Sequence, residues 1–486
     1  MLKTLKQLIK LLHRWTGLAM SFLFVVWFIS GFIMIYHTFP KPRPQLYFHD
    51  LNSFSGHDSI QSPHELFSTH KVSSIILEKV NDKAVYRMPG RGVSVFDAAT
   101  LQTAMPLSLK ECAEIVRSNF SHPIEKVEEL NDFDQWIPWA HYKTHFPIQK
   151  FWLDDDKGTQ VYVSSSSGTI VQETTLKSRV MAWLGAIPHW MYFKQLRLKV
   201  ALWSDVVIGF SAIGCLACLS GFVLGFIRLK RFKRGAKWNS ITPFKKFWYR
   251  WHHISGFIFG FFVFTFILSG LMSLADLPNW IVKTEKEINY YQLWNGSCLS
   301  SQQELIGFNK LIQQKDASSI KRIVCRKVME RTFYEVYQDT PDQSECYIVD
   351  ANKVKPLPPL TQLVIEKRMK ELLPQKQYSI HFLRDYSHYY SAKKRVLPLP
   401  VYEIELDDTY GTTLFVHPQT GELLKVLNRS SKWQWWLYQG LHTFNFGWFR
   451  QFEWLRQALL IFLSLGGMFV SISAFVLGIQ FIKRKI

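Results

Sequence analysis

Charge is missing from four long stretches of this chain of 486 residues. Leu18 to Tyr36 carries none; Val206 to Ile227 and Ile254 to Ala275 are apolar over 22 residues each, and Ala458 to Ile482 runs for 25. Each is long enough to cross about 30 Å of hydrocarbon as a helix, which excludes a wholly soluble protein. The first run lacks a clean small-x-small cleavage site after it, so it reads as a retained anchor rather than a signal peptide. Cysteine is scarce, at six residues, and has no metal-like spacing except Cys215-x-x-Cys218 inside an apolar run, where packing is the simpler role. No Gly-x-Gly-x-x-Gly fingerprint is present, which argues against a built-in NADPH or flavin domain.

Acidic residues are also few, 38 against 58 Lys and Arg, giving a formal charge of +20. The basic residues cluster beside the apolar runs. Lys3, Lys6, Lys10 and Arg14 precede the first, nine Lys and Arg fill residues 228–250, and Lys483, Arg484 and Lys485 follow the last. Such short juxtamembrane clusters are expected to face the cytoplasm and membrane lipid rather than nucleic acid. Both termini would then be cytoplasmic and the long segments periplasmic, in a multi-pass protein of a bacterial inner membrane. Cys112, Cys298, Cys325 and Cys346 would lie in an oxidising compartment, which permits one or two disulfides without fixing which cysteines pair.

The chain repeats itself. His13-Arg-Trp-Thr-Gly17 precedes Ser30-Gly31 with the spacing by which His252-His-Ile-Ser-Gly256 precedes Ser269-Gly270, at an offset of 239. His189 lies 33 residues before Phe222-Val-Leu-Gly225, and His442 lies 33 before Phe475-Val-Leu-Gly478. Val93 to Asp97 echoes Cys346 to Asp350, and Gly158 to Gly168 echoes Gly411 to Gly421, as strand, tight turn, strand. Helical spacing over Pro106 to Asn119 and Pro359 to Leu373 precedes further strands. These patterns predict an integral, mainly α, membrane protein: a four-transmembrane-helix bundle with a pseudo-two-fold internal repeat and two extracytoplasmic α+β units. The expected divisions are 1–37, N-terminus and first span; 38–202, first outer unit with an interfacial segment; and 203–228, second span. A basic loop at 229–250, a third span at 251–275, a second outer unit with an interfacial segment at 276–455, a fourth span at 456–482 and a tail at 483–486 complete them.

A parallel repeat lets matching residues face each other across its axis. His13 would meet His252 at the inner ends of the spans, and His189 would meet His442 at the outer ends. Two opposed histidines are what a haem needs as axial ligands on its two faces, an arrangement suited to electron transfer, and two such pairs would hold two haems. Gly17 and Gly256, one turn beyond His13 and His252, would admit a porphyrin plane. His37 and His253 rank below these four as ligands, because their repeat equivalents are Asp276 and Arg14. Arg14 and Arg250 inside, with Arg197 and Arg450 outside, are candidate partners of the haem propionates, beside Arg456. In the outer units His141, Tyr142, His388 and Tyr389 are candidates for a substrate cleft, although surface packing also accounts for them. Asp154 to Asp156, with Asp407 and Asp408, read as acidic strand-end turns rather than a cation site.

His13-Arg-Trp-x-Gly-Leu18, Gly185-Ala-Ile-Pro-His189-Trp, Leu399-Pro-Val401, Val416-His-Pro-x-Thr-Gly421 and Gly440-Leu-His442 together resemble the PepSY-associated transmembrane proteins over nearly the whole chain. That group includes inner-membrane ferric-siderophore reductases and iron-regulated membrane proteins. The resemblance implies a bundle holding two b-type haems, PepSY-like outer units, and electrons passed outward to an iron complex. His13, His252, His189 and His442 match the family's helix-associated histidines. A quinol or a cytoplasmic donor would supply electrons, and a ferric chelate or siderophore would receive them. Two alternatives stand beside this reading: a non-catalytic membrane protein that binds or regulates a periplasmic protein, and a haem electron carrier with a non-iron acceptor.

Overall fold

A computed structural model describes residues 2–42, 48, 51–68, 72–90, 93–233, 242–275, 288–296, 298–299, 307–338, 340, 343–349, 353–390, 397–446, 449 and 452–484. They form two compact units, one of Met1–Phe39, Ser178–Lys283 and Ser430–Ile486, the other of Pro40–Lys177 and Thr284–Arg429.

The first unit is built on four long helices: α1 (Leu2–Met34), α2 (Val200–Lys233), α3 (Phe247–Met272) and α4 (Glu453–Ile482). Their apolar spans run for 31, 30, 26 and 30 residues, so even the shortest rises about 39 Å, more than the roughly 30 Å of hydrocarbon to be crossed. Helix α1 packs against α2 and α4, as does α3, which leaves α1 and α3 facing across the bundle. The outer surface carries large apolar side chains such as Phe22, Phe226, Ile258 and Phe462. Small and hydroxyl-bearing residues lie inside instead, among them Ser30, Ser220, Ser269 and Ser473. In lipid nothing is gained by hiding apolar surface, so close backbone approach and satisfied hydroxyls become the useful interior. Gly214 lets Phe24 pack between helices, where an added Cβ would come within 2.9 Å of its ring. The helices run beyond the apolar stretches that define them in the sequence, because Lys and Arg are good helix formers.

In the second unit the strands are β1 (Ser74–Val80), β2 (Lys83–Pro89), β3 (Val93–Asp97), β4 (Ile124–Leu130), β5 (Ile148–Leu153), β6 (Gln160–Ser164), β7 (Thr169–Thr174), β8 (Arg322–Val328), β9 (Arg331–Tyr337), β10 (Glu345–Val349), β11 (Val354–Pro356), β12 (Tyr378–Leu383), β13 (Val401–Leu406), β14 (Thr413–Val416) and β15 (Leu423–Leu427). Two four-stranded antiparallel meanders, β4-β5-β6-β7 and β12-β13-β14-β15, are each covered by a helix, Leu109–Asn119 and Gln362–Leu372. Ser108 starts the first of these helices, its hydroxyl accepting from the Glu111 N–H while the Glu111 carboxylate returns the bond. Cys112 and Val116 on that helix then pack on Phe151 and Val163, as Ile365 and Met369 pack on Ile404 and Leu414.

The third sheet has seven antiparallel strands in the order β11-β10-β9-β8-β1-β2-β3. Both outer segments contribute strands to it, for β1 pairs directly with β8, with Ile76 opposite Val324. Joining two strand edges satisfies backbone groups that each half alone would leave open. None of the six cysteines is joined in a disulfide. Cys325 on β8 and Cys346 on β10 are separated by β9, about 10 Å across the sheet, beyond the reach of an S–S bond.

Candidate functional site

His13 projects from α1 towards His252 of α3, with ring centroids 6.3 Å apart. His189, on the short helix Ala186–Trp190, meets His442, which follows the π-helical turn Trp435–Gly440, at 6.2 Å. The first pair lies near the starts of α1 and α3, the second beside their ends at Trp27 and Phe266. From His13 to Trp27 the rise along α1 is about 21 Å. Between them the bundle is filled by Met20, Phe24, Phe28, Val263 and Ile267.

Hydrogen bonds settle which ring nitrogen is free. His13 Nδ1 lies 3.0 Å from the Ala217 carbonyl, His189 Nδ1 3.1 Å from that of Trp27, and His442 Nδ1 3.1 Å from that of Phe266. A carbonyl can only accept, so each Nδ1 carries the proton and each Nε2 keeps its lone pair. His252 Nδ1 lies 3.0 Å from Ser473 Oγ, whose own proton goes to Val470 O at 2.7 Å, so the same holds there. Burial, and the neighbouring His442 ring, hold the His189 pKa down to about 4, and burial lowers that of His442. The neutral imidazole is the form that ligates a metal.

These residues fit a bis-histidine metalloporphyrin. A ligating nitrogen sits about 2 Å from its metal and about 1.1 Å from its ring centroid, so two imidazoles on opposite sides of one metal place their centroids about 6.3 Å apart. A backbone carbonyl on the distal nitrogen is the usual companion of a ligating histidine. A Cβ added to Gly17 or Gly256 would meet nothing within 4 Å, which leaves open space beside His13 and His252. Arg197 stands with its Cζ 4.5 Å from the Trp203 ring centroid, and its Nε and Nη1 are buried without a hydrogen-bond partner. Two orphaned guanidinium N–H groups suit a carboxylate such as a propionate.

The remaining candidates are placed less centrally. His253 turns to Phe244 and Phe257, at 5.4 and 5.2 Å, rather than to His13. His37 lies past the end of α1, its N–H closing a turn on Ile33 at 2.9 Å. Arg14 lies over the Phe481 ring at 4.8 Å, Arg250 is exposed, and Arg450 lies outside the described residues. Arg456 is committed to Glu453 at 2.7 Å and to the Thr443 carbonyl at 2.9 Å. In the other unit Tyr142 is buried and donates to Val171 O at 3.3 Å, so it packs rather than lines a cleft, while His141 lies exposed against its ring. His388 and Tyr389 belong to the neighbourhood of β14 and β15, where Lys425 Nζ donates to the Tyr389 carbonyl. Asp155 and Asp408 accept from the Thr159 and Thr412 N–H groups at 2.8 and 3.0 Å and so close strand-end turns. Sequence reasoning misses the serines at the histidine rings. Ser30 and Ser269 stand in the repeated Ser-Gly motif, yet Ser220 and Ser473 carry a signal only if that motif is sought on α2 and α4 as well.

Among the described residues no group of three or more His, Cys, Asp or Glu side chains is arranged to hold a bare metal ion, so the histidines stand in pairs. No curated protein matches the chain. The model of the PepSY-associated TM region matches residues 11–484, nearly its whole length, and the chain belongs to that family.

Proposed function

We propose that this protein is a di-haem reductase of a bacterial inner membrane, passing electrons outward to a periplasmic ferric chelate such as a ferric siderophore. The observation that carries the reading is the pair of histidine pairs, at 6.3 and 6.2 Å, each with Nε2 free. His13 with His252 and His189 with His442 would hold the two haems b, and Arg197 would meet a propionate. Bound there, haem supplies reversible one-electron chemistry, and saturation of its iron by two histidines favours electron transfer over oxygen chemistry. Ferrous iron binds hard oxygen ligands less tightly than ferric, so reduction of the chelate would release the metal.

A pseudo-two-fold repeat would place like residues face to face. The sheet order β3-β2-β1-β8-β9-β10 reads alike from either end, with Ser74 opposite Arg326 and Glu78 opposite Arg322 around the central pair of Ile76 and Val324. The basic clusters support a cytoplasmic start of the path, where a quinol or a soluble donor would deliver electrons. The absorption spectrum of purified protein tests the proposal. Reducible b-type Soret and α bands are expected, with bleaching when ferric chelates are added to the reduced protein. Their absence would reject the reductase reading in favour of a non-catalytic membrane protein; haem that no ferric chelate reoxidises would point to another acceptor.

A further inference from the structure

All four histidines are met by the same two-residue step on a bundle helix. Ser30-Gly31 of α1 meets His189, with Oγ 3.2 Å from Nδ1, and a Cβ on Gly31 would lie 3.1 Å from the ring Cε1. Ser269-Gly270 of α3 meets His442 at 3.0 Å, and the corresponding Cβ would lie 3.8 Å from Cε1. On α2, Ser220 shares the Ala217 carbonyl with His13, and a Cβ on Gly221 would come within 2.8 Å of His13 Cε1. On α4 the step is Ser473-Ala474, with Ser473 Oγ 3.0 Å from His252 Nδ1.

Three of the hydroxyls give their single proton to the carbonyl three residues back, at 3.1 Å for Ser30, 2.9 Å for Ser269 and 2.7 Å for Ser473, whereas Ser220 divides its proton between the Leu216 carbonyl at 2.7 Å and the Ala217 carbonyl at 3.0 Å. With that proton committed, the oxygen can only accept from a histidine. Serines in membrane helices commonly bond their own backbone, which accounts for the hydroxyls alone. It does not account for Gly31 and Gly221 in the next position, each set so close to an imidazole ring that a Cβ would crowd it.

Resting on the haem reading above, we infer that these steps are imidazole cradles: the carbonyl three residues before each serine, joined at His189, His252 and His442 by the serine hydroxyl itself, locks the ligand as the Nδ1–H tautomer, and the following small residue sets the plane of its ring. The His13 and His252 rings are held 32° apart and the His189 and His442 rings 66° apart. Axial imidazoles in nearly common planes raise the same iron d orbital and stabilise the low-spin ferric state. Strongly crossed rings divide that effect between two orbitals and leave them nearly degenerate. With haem bound, the His189/His442 pair would therefore give the more anisotropic ferric signal and the higher reduction potential. Ser30, Ser269 and Ser473 are positioning residues, acting through the histidines.

Nitrogen NMR of ¹⁵N-histidine-labelled full chain, haem-free and haem-loaded, with electron paramagnetic resonance and potentiometry of the loaded form, tests this. Nδ1–H tautomers are expected at all four positions before loading. Ser473→Ala should give mixed tautomers at His252, and Ser473→Thr, which keeps the hydroxyl, should restore one. The loaded protein should show a rhombic ferric signal lost in His252→Ala and a strongly anisotropic one, of higher potential, lost in His442→Ala. Gly31→Ala should shift only the second. Mixed tautomers in the unmodified chain, or tautomers and signals unmoved by Ser473→Ala and Gly31→Ala, would overturn the cradle. Locked tautomers in a chain that takes up no haem would uphold it and refute the haem reading.

Discussion

Arg322 on β8 donates from Nε to the Glu78 carboxylate on β1 at 2.7 Å, so a buried ion pair ties one half of the chain to the other. Arg87 on β2 completes the arrangement, its Nε 2.5 Å from the other carboxylate oxygen. Burial works against the charged carboxylate, but attraction to Arg87 and Arg322, with their hydrogen bonds, outweighs it and holds the Glu78 pKa below its ordinary value. Glu78 therefore stabilises the seven-stranded sheet above about pH 4.5, and that contribution is lost as pH falls through the depressed folded value. Glu78→Ala leaves two cations facing a buried gap and should cost about 3–5 kcal/mol, which proteolysis of the folded protein across this pH range would register. Equal protease resistance of the variant and the natural sequence from pH 7 down to pH 3 would contradict the assignment.

Truncating one histidine of a pair should remove one haem and spare the other. His13→Ala and His252→Ala should each halve the haem content measured as the pyridine haemochrome, and so should His189→Ala and His442→Ala, with loss of a different spectral component. Complete loss of haem from every variant would mean that the bundle collapses around either vacancy, and the separateness of the two sites would have to be abandoned.

How far the site is legible in the sequence depends on the kind of interaction. His13 and His252 can be matched because the spacing from histidine to Ser-Gly occurs twice in the sequence, and a side chain as specific as imidazole stands out in an apolar run. The β1–β8 pairing has no such mark, since strand edges join through backbone groups that nearly every residue carries. Ser220 and Ser473 are hidden for another reason: a serine that bonds its own helix looks the same whether or not a histidine arrives from elsewhere. Tyr142 misleads because an aromatic beside exposed His141 reads alike as cleft or as core until the direction of its hydroxyl is known.

The cysteines give a direct test of the sheet unit. Cys298 is exposed, whereas Cys112, Cys325 and Cys346 are buried, and all are free thiols. Brief alkylation of the folded protein should therefore label Cys298 first, and unfolding without reductant should expose the other three to the same reagent. A chain whose mass rises by fewer labels after unfolding, and recovers them only after reduction, would carry a disulfide that this arrangement of strands forbids.

Arg197 offers the sharpest test of where a porphyrin edge would lie. Its Nε and Nη1 are buried and unpartnered beside the Tyr192 and Trp203 rings, a cost that an anion or another acceptor would relieve. A charge-assisted hydrogen bond is worth about 1.5–3 kcal/mol, so Arg197→Gln should speed transfer of one haem to a haem-free acceptor protein roughly 10- to 100-fold. Arg197→Lys keeps the charge but loses the planar fork and should fall between the two. The bis-histidine spectrum should persist in both, because His189 and His442 are untouched. If transfer rates match the natural sequence while the spectrum is intact, the guanidinium serves the stacking on Trp203 and no propionate lies against it.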